Sequence, residues 1–250
     1  MPIKAVLFDF MGTCLDWHSA ITAALPPSLP YETRSQFALT WRQAYFDHNA
    51  ARLASGQPPE DIDTSHRTTL AAQLASSSAE VKAAFAETPG AQDACIAAWH
   101  SQPAWPDVAP AIEQLRSSSC FAGDEGEGRT LDVLVHANGT LRLQLDLCRS
   151  SGLRFDALLS SELLGVYKPA PESYRRALEL LRCEAGECVM VAAHAYDTRG
   201  AKAVGMKTVY VYRWTDDINE DQAAVRREND AYLENMDDLA ETIARLGSGV

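Results

Sequence analysis

The residue with the clearest capacity for chemistry in this chain is Asp9. It follows the apolar run Ala5–Phe8 and is followed closely by Gly12. The run is typical of a buried parallel strand, and the glycine is typical of a turn that leaves the sheet. Open α/β sheets bind ligands at the carboxyl ends of their strands, and a carboxylate is a competent covalent nucleophile. Taken alone, such an aspartate is more often a turn residue, so the rest of the chain has to decide.

Three further segments carry polar residues beside predicted strands. Asn138 and Asp197 each follow an apolar run, and Lys168 lies in Lys168-Pro169-Ala170-Pro171, just ahead of a predicted helix. Any one of these segments is weak evidence when taken by itself.

Together these segments resemble the motifs of the haloacid dehalogenase superfamily, and more narrowly its type II 2-haloacid dehalogenases and their fungal relatives. The resemblance covers nearly the whole chain, and four motifs in this order are specific where one alone is not. They are Asp9-Phe10-Met11-Gly12-Thr13, Ala137-Asn138-Gly139-Thr140, Lys168-Pro169-Ala170-Pro171 with Tyr174 six residues after the lysine, and Ala192-Ala193-His194-Ala195-Tyr196-Asp197.

The resemblance implies an aspartyl-ester mechanism. Asp9 attacks an electrophilic carbon, and water then hydrolyses the ester. Thr13 donates its hydroxyl to the Asp9 carboxylate, and the charge of Lys168 keeps Asp9 ionised. Asp197 pairs with Lys168 or orients the hydrolytic water, and a plain helix N-cap before Thr198 is the alternative.

The resemblance also implies residues that bind substrate. Asn138 and nearby backbone N–H groups bind a substrate carboxylate. Arg42, in the segment Trp41-Arg42-Gln43, stabilises a leaving anion, and Gln43 accompanies it. Tyr174 donates a hydrogen bond near Lys168. A solvated charge at Arg42 and simple packing at Tyr174 are the alternatives.

Several positions depart from the family pattern. Superfamily phosphatases carry a second aspartate two residues after the nucleophile, where this chain has Met11, which transfers no proton. Ala137 and Ala192 stand where hydroxyl side chains are usual, and His194 stands where asparagine is usual. We expect Met11 and Tyr196 to shape the substrate pocket instead.

The new histidine has two possible roles. With a reference pKa near 6.5, His194 is a candidate general base for water, and the alternative is a neutral histidine that supports its loop. His136, two residues before Asn138, should point to the opposite strand face, so we interpret it as a core histidine.

The order of elements predicts an α/β fold. Beyond the first strand, four segments read as strands, and helical patterns separate them. The predicted strands are Leu131–Ala137, Ala157–Ser160, Val189–Ala193 and Thr208–Val211, and the predicted helices are Thr140–Ser151, Pro171–Arg182 and Thr198–Val204. We therefore predict a doubly wound parallel sheet with helices on both faces, and an exposed loop over Phe121–Thr130.

A helical block interrupts this pattern between the first two strands. Phe37, Trp41 and Tyr45 recur at helical spacing and should form one buried stripe. Further helices are predicted at about Asp61–Ala75, after the breaker Gln57-Pro58-Pro59, and at about Ala79–Glu87 and Ala91–Trp99. We predict an inserted α-helical cap domain at 17–102 and an α/β core domain at 1–16 and 103–250.

Composition limits the possible partners. The 250 residues include 34 acidic and 22 basic side chains, a net charge of −12, which argues against nucleic-acid or anionic-membrane partners. No apolar run approaches a membrane span, no signal-peptide pattern is present, and six irregularly spaced cysteines are typical of free thiols in a reducing compartment. A cytoplasmic protein with a small-molecule substrate is expected, and family resemblance suggests a homodimer.

These observations lead to one main functional hypothesis. The chain is expected to be a hydrolase of the 2-haloacid dehalogenase-like type, without cofactor or metal, that performs hydrolytic displacement at carbon of a small organic acid. One alternative is a lyase, dehydratase or cyclase that uses Asp9, Lys168 and His194 on a larger metabolite. The other is a non-catalytic small-molecule-binding homologue, towards which the lost hydroxyls at Ala137 and Ala192 lean.

Overall fold

The structure is a computed structural model, and it describes residues 1–57, 60–117 and 131–248. Its contacts divide the chain into two compact units. The core unit consists of residues 1–15, 104–144 and 152–250, and the helical unit consists of 16–103 and 145–151. The boundaries predicted from sequence differ from these at residues 16 and 103 and at 145–151, and they remain a prediction about domains.

The core unit contains a six-stranded sheet with the order β3-β2-β1-β4-β5-β6, and all five strand pairs are parallel. The strands are β1 Ala5–Phe8, β2 Asp132–Ala137, β3 Ala157–Ser160, β4 Cys188–Ala192, β5 Lys207–Val211 and β6 Ala231–Leu233. Every residue of β1 and β4 is buried, because central parallel strands are covered on both faces. The strand order reverses beside β1, and a crevice at such a switch point is the usual ligand site of an open α/β sheet.

Helices connect the strands and cover the sheet. They are α6 Val108–Ser117, α7 Leu141–Ser151, α8 Ser161–Leu164, α9 Pro171–Leu181, α10 Ala195–Ala203, α11 Gln222–Glu228 and α12 Leu239–Ser248, and α7 continues into the helical unit. On one face, Tyr174 and Leu178 of α9 pack in one apolar cluster with Leu7, Leu134 and Met190 of the sheet.

The helical unit contains α1 Trp17–Ala24, α2 Tyr31–Ala54, α3 Ile62–Ser76, α4 Ala79–Glu87 and α5 Ala91–Ala98. Phe37 and Trp41 on α2 are buried as the stripe predicts, and the half-buried Tyr45 stacks on His66 of α3 with ring centroids 4.4 Å apart. The Trp41 indole donates to Thr69 Oγ1 of α3 at 3.0 Å. Aromatic packing between α2 and α3 therefore forms much of this unit's interior.

The predicted fold class, a doubly wound parallel α/β sheet with inserted helices, is confirmed. The five predicted strands are present with ends shifted by at most one residue, whereas β6 was not predicted. The predicted loop Phe121–Thr130 lies outside the described residues, and so do Pro58 and Pro59 of the predicted breaker. In the part of the chain that the structure describes, no helix is long and apolar enough to cross a membrane, and the five cysteines found there form no disulfide.

Candidate active site

Asp9 lies directly beyond β1, at the switch point of the sheet. Its backbone N–H donates to the Val191 carbonyl of β4 at 3.0 Å, so the β1–β4 ladder extends one residue past the strand. Gly12 follows with φ +83°, a conformation that a residue with a side chain adopts only at a cost. Asp9 itself is 5% exposed, so its carboxylate is buried at this edge of the sheet.

Three side chains from three segments donate to this carboxylate. Thr13 Oγ1 donates to Oδ2 at 2.8 Å, and Lys168 Nζ donates to Oδ1 at 3.0 Å. Nδ1 of His194 lies 2.9 Å from Oδ2. Thr13 is fixed in turn, because its hydroxyl oxygen accepts from the Ala193 N–H at 2.8 Å. Among the described side chains, Oδ2 thus has two donors and Oδ1 has one.

Lys168 is the centre of the positive charge at the site. Its ammonium donates to Asp9, to Asp197 Oδ2 at 2.5 Å and to the His136 carbonyl at 2.6 Å. Burial by itself lowers the pKa of a lysine, but the charges of Asp197 and Asp9 outweigh it and raise the pKa of Lys168 above its usual value. The group is therefore an ammonium at neutral pH.

Asn138 holds the backbone of that lysine. Its side-chain amide accepts from the Lys168 N–H at 2.9 Å and donates to the Lys168 carbonyl at 3.0 Å. Asn138 was predicted to bind a substrate carboxylate, whereas these two hydrogen bonds engage its amide with the Lys168 backbone. They fix the loop between α8 and α9 so that the lysine side chain reaches Asp9.

Asp197 lies in the first turn of α10 and is fully buried. The N-cap of α10 is His194, so the N-cap alternative for Asp197 is wrong. Its Oδ1 accepts from the Tyr174 hydroxyl at 2.7 Å, and its Oδ2 accepts from Lys168. Burial, and after it the negative charge of Asp9, raise the pKa of Asp197 against the opposing charge of Lys168. Both carboxylate oxygens orient neighbours.

His194 connects the site to a carboxylate that the sequence analysis did not identify. Its Nε2 lies 3.1 Å from Asp216 Oδ1, while its Nδ1 faces Asp9. Burial by itself lowers the pKa of a histidine, but these two carboxylates more than compensate and raise the pKa of His194 to about 10. An imidazolium has no lone pair with which to accept a proton, and this argues against the predicted general-base role in the resting enzyme.

The net effect of these neighbours on Asp9 is large. Burial would raise the pKa of Asp9, but the charge of Lys168 and the hydrogen bonds from His194 and Thr13 hold it well below its ordinary value. His136, by contrast, is buried with a lowered pKa, because of desolvation and then the charge of Lys168. Its ring nitrogen Nε2 meets Ser173 Oγ at 2.9 Å. This is the predicted core histidine.

A second group of residues fixes the backbone of the nucleophile turn. The Trp105 indole donates to the Gly12 carbonyl at 2.8 Å, and Arg213 Nε donates to the Thr13 carbonyl at 3.1 Å. Arg213 also makes two hydrogen bonds to Asp107, at 2.9 and 3.0 Å. Neither Trp105 nor Arg213 was predicted, because nothing in their local sequence points to Asp9.

Met11 and Tyr196 flank the same centre. Met11 belongs to the nucleophile turn and is 9% exposed, and it forms an isolated bridge with Leu15. Tyr196 is half-buried, and its ring centroid lies 5.5 Å from that of His194. Both positions are compatible with the predicted role of shaping a substrate pocket, which remains a prediction.

Arg42 and Gln43 lie on α2, in the helical unit. The Arg42 guanidinium is 5% exposed and lies 4.5 to 5.6 Å from the ring centroids of Phe46, Trp99, Trp17 and Tyr45. Within the described residues, its Nε and Nη1 have no hydrogen-bond partner. Arg42 is therefore a buried cation with N–H groups to offer an anion, not the solvated charge that was its alternative. Gln43 donates to Asp47 at 2.9 Å.

Asp216 had one signal that sequence reasoning missed. The segment Thr215-Asp216-Asp217 follows β5, so it lies at the same sheet edge as the four motifs. An acidic pair after a fifth parallel strand is a candidate site residue by the argument already applied to Asp9. Across residues 1–57, 60–117 and 131–248, no group of three His, Cys, Asp or Glu side chains is arranged to hold a metal ion.

Comparison with known proteins gives a consistent picture. The family model for haloacid dehalogenase-like hydrolases matches residues 3–205. The chain is 27% identical over 212 residues to (S)-2-haloacid dehalogenase 4A of Burkholderia cepacia, covering 84% of each chain. It is 25% identical over 247 residues to (S)-2-haloacid dehalogenase 1 of Pseudomonas sp. strain CBS-3, covering 98% of each. A crystal structure of a defluorinating L-2-haloacid dehalogenase superimposes with a TM-score of 0.78 at 26% identity, over 96% of this chain and 95% of that one.

Proposed function

Because this chain belongs to the haloacid dehalogenase-like hydrolases, we propose that it hydrolyses a small organic acid at carbon, with a 2-haloacid as the prototype substrate. The substrate class comes from the relatives, which are (S)- and L-2-haloacid dehalogenases. The reaction type comes from the residues around Asp9.

The observation that carries the proposal is the state of the Asp9 carboxylate. It is buried, yet three donors hold it ionised, which is the form that attacks carbon. One Asp9 oxygen bonds to the substrate carbon, the carbon–halogen bond breaks, and the halide leaves with the bonding electron pair. Met11 offers no proton to a leaving alcohol, whereas a halide needs none.

Lys168 and Asp197 serve this first step together. The ammonium orients Asp9 and offsets the negative charge that a carboxylate substrate adds to a buried site. Asp197 and Tyr174 keep the ammonium in place through the 2.5 and 2.7 Å contacts. We therefore assign Asp197 to positioning of Lys168, in preference to positioning of water.

Arg42 is our proposed binding group for the released anion. A guanidinium among aromatic rings is weakly hydrated and retains its charge. Burial and the positive charge of Arg42 hold the pKa of the nearby His66 well below its usual value, so the imidazole adds no second charge. We keep Gln43, Met11, Asn138 and Tyr196 as proposed substrate contacts, with Asn138 acting chiefly through the Lys168 backbone.

A single turnover in ¹⁸O-water tests the nucleophile. Enzyme in excess over 2-chloropropionate should incorporate label into Asp9, because water attacks the ester at Cγ and the product leaves with an original Asp9 oxygen. Peptide mass spectrometry locates the label, and Asp9→Asn is the control that should take up none. Label in the product with an unlabelled Asp9 would overturn the proposal, and it would favour the alternative in which Asp9 acts as an acid or base.

Finer placement of the chain stays part of this proposal. We expect a type II enzyme related to fungal members, a homodimer through the cap helices and a cytoplasmic location. Light scattering on the purified protein gives the oligomeric state directly. A mass near that of one 27.3 kDa chain would contradict the homodimer.

A further inference from the structure

Asp216 is a buried carboxylate to which the proposed mechanism assigns no task. It is 3% exposed, its Oδ1 lies 3.1 Å from His194 Nε2, and its Oδ2 accepts from the Thr215 hydroxyl at 2.7 Å. The imidazole of His194 thus bridges Asp216 and Asp9. A neutral imidazole has one N–H group, so it can donate to only one of two carboxylates, whereas an imidazolium donates to both.

The nucleophile turn is shaped to admit Asp216. A Cβ atom placed on Gly12 would lie 2.6 to 2.7 Å from the carboxylate atoms of Asp216, a distance that real Cβ atoms do not show. Gly12 also has φ +83°. The glycine therefore serves the turn and the close approach of this acid together, and a side chain there would displace Asp216 from His194.

Charged groups face His194 from every neighbouring element. Asp9 approaches from β1, and Asp216 and Asp217 approach from the segment after β5, where Asp217 accepts from the Ala195 N–H at 2.6 Å. Lys168 donates to the other oxygen of Asp9, Oδ1. Tyr196, Asp197 and the backbone of Ala195 belong to α10. Asp9 and Asp216 both lie within hydrogen-bond distance of the ring nitrogens, so the surroundings favour the cationic ring.

The two oxygens of Asp9 are not equivalent. Oδ1 has Lys168 as its donor, whereas Oδ2 has both Thr13 and His194. The oxygen with fewer donors is the better nucleophile, so attack by Oδ1 leaves Oδ2 as the carbonyl oxygen of the ester. Two donors then already point at the atom that becomes negative when water attacks.

We propose that Thr13 and His194 form the oxyanion hole for ester hydrolysis, and that Asp216 is the positioning residue that keeps His194 as a doubly protonated donor. This inference rests on the proposed function, since it concerns the second half of that reaction. Donors pre-set around a developing oxyanion are among the largest contributions to catalysis. Here a charged donor takes a place where the family uses a neutral asparagine.

Water attacks Cγ of Asp9, and the carbonyl electron pair moves to Oδ2, which Thr13 O–H and His194 N–H stabilise. When the carbonyl re-forms, the Cγ–Oδ1 bond breaks, and the hydroxy acid leaves with Oδ1 and one proton of the water. The second proton passes to solvent, and Asp9 is again a carboxylate. Over both steps, one water is consumed and one halide and one proton are released.

The decisive experiment separates the two halves of the reaction in Asp216→Asn. Rapid quenching with 2-chloropropionate should show halide release slowed less than threefold, ester hydrolysis slowed about tenfold, because His194 changes from a charged donor to a weaker neutral one, and ester accumulating on Asp9. Thr215→Val, which removes only the hydrogen bond to Asp216, should give a smaller change of the same kind. Asp230→Asn is the matched control, because Asp230 accepts from Thr208 N–H at 2.9 Å and does not contact the site. Equal slowing of both halves, or no change, would overturn the inference.

A second measurement does not need turnover. In ¹³C-histidine NMR, His194 should remain protonated well above pH 8 in the unmodified protein, and its pKa should fall in Asp216→Asn because one carboxylate partner is gone. Hydrolysis should likewise decline as pH rises through that pKa. If no ester ever forms but this shift is seen, the proposed function fails and the His194–Asp216 pair stands. A wild-type pKa near 6.5 overturns the pair itself.

Discussion

At the scale of single residues, the site lacks two hydroxyl donors that the family pattern has, and it contains an additional cationic side chain, His194. Ala137 and Ala192 are buried at the sheet edge where the family has hydroxyls. Thr13 is the one hydroxyl that donates to Asp9 within the described residues. Asp9 is nevertheless held as a carboxylate, since Lys168 and His194 are both cationic. The charge balance of the site thus survives the lost hydroxyls, but the number of directed donors falls.

We expect weak turnover of simple haloacids because of the lost hydroxyls, and we expect serine at the two positions to raise it. A hydrogen bond to a charged group contributes roughly 1.5–3 kcal/mol, and about 1.4 kcal/mol is a tenfold change in rate. Ala137→Ser with Ala192→Ser should therefore raise kcat/KM for 2-chloropropionate by at least tenfold. His194 is best left in place, because its removal strands Asp216 without its partner. Ala203→Ser, on the exposed side of α10, is the control. Unchanged activity in the double variant would mean that the missing hydroxyls are neutral and that the native substrate differs.

At the scale of elements, α9 and α10 are held together by a contact that needs a glycine. A Cβ atom on Gly200 of α10 would lie 2.6 Å from the Tyr174 hydroxyl and 2.8 and 2.9 Å from its ring carbons. That hydroxyl is the donor to Asp197. The small residue therefore allows Tyr174 of α9 to reach the acid that positions Lys168.

Gly200→Ala should accordingly lower activity through Tyr174. Helix propensity alone favours alanine over glycine by about 1 kcal/mol, so a loss of stability or rate would reveal the steric conflict. We expect a fall of roughly tenfold in kcat. Tyr174→Phe removes the hydroxyl without the clash, and the double variant should be little worse than the worse single variant, because both act on one contact. Fully additive losses, or a more active Gly200→Ala, would contradict this account.

The strands and helices differ in how clearly the sequence predicts them. Apolar runs and helical spacing predicted β1 to β5 and α7, α9 and α10, because each buries a continuous face. The strand β6 is three half-buried residues at the sheet edge, too short for a period to register. Asp9 was found because it ends an apolar run, whereas Lys168 and Asp197 were identified through the resemblance of their segments to the family's motifs. Asp216 needed the further knowledge that β5 lies beside β4, which is a property of the sheet order.

At the scale of the whole molecule, the charge distribution bears on metal dependence. The chain carries a net charge of −12, and such a surface attracts divalent cations without selectivity. Around Asp9, by contrast, positive charge already surrounds the carboxylate. Both oxygens of Asp9 are already occupied by donors, two of them cationic, and Met11 stands where a phosphatase has its second acid. A hard divalent cation needs a dense set of oxygen ligands, and it would have to displace the ammonium.

We therefore expect activity without any added metal. Initial rates with 2-chloropropionate should change by less than twofold after dialysis against EDTA, and again when Mg²⁺ is restored at constant ionic strength, which removes the effect of surface screening. Lys168→Ala tests the reason: it should be inactive, because the ammonium that orients Asp9 and offsets the charge of a carboxylate substrate is gone. Activity that disappears in EDTA and returns with Mg²⁺ would show that Asp9 works beside a metal, and it would revive the phosphatase chemistry that Met11 argues against.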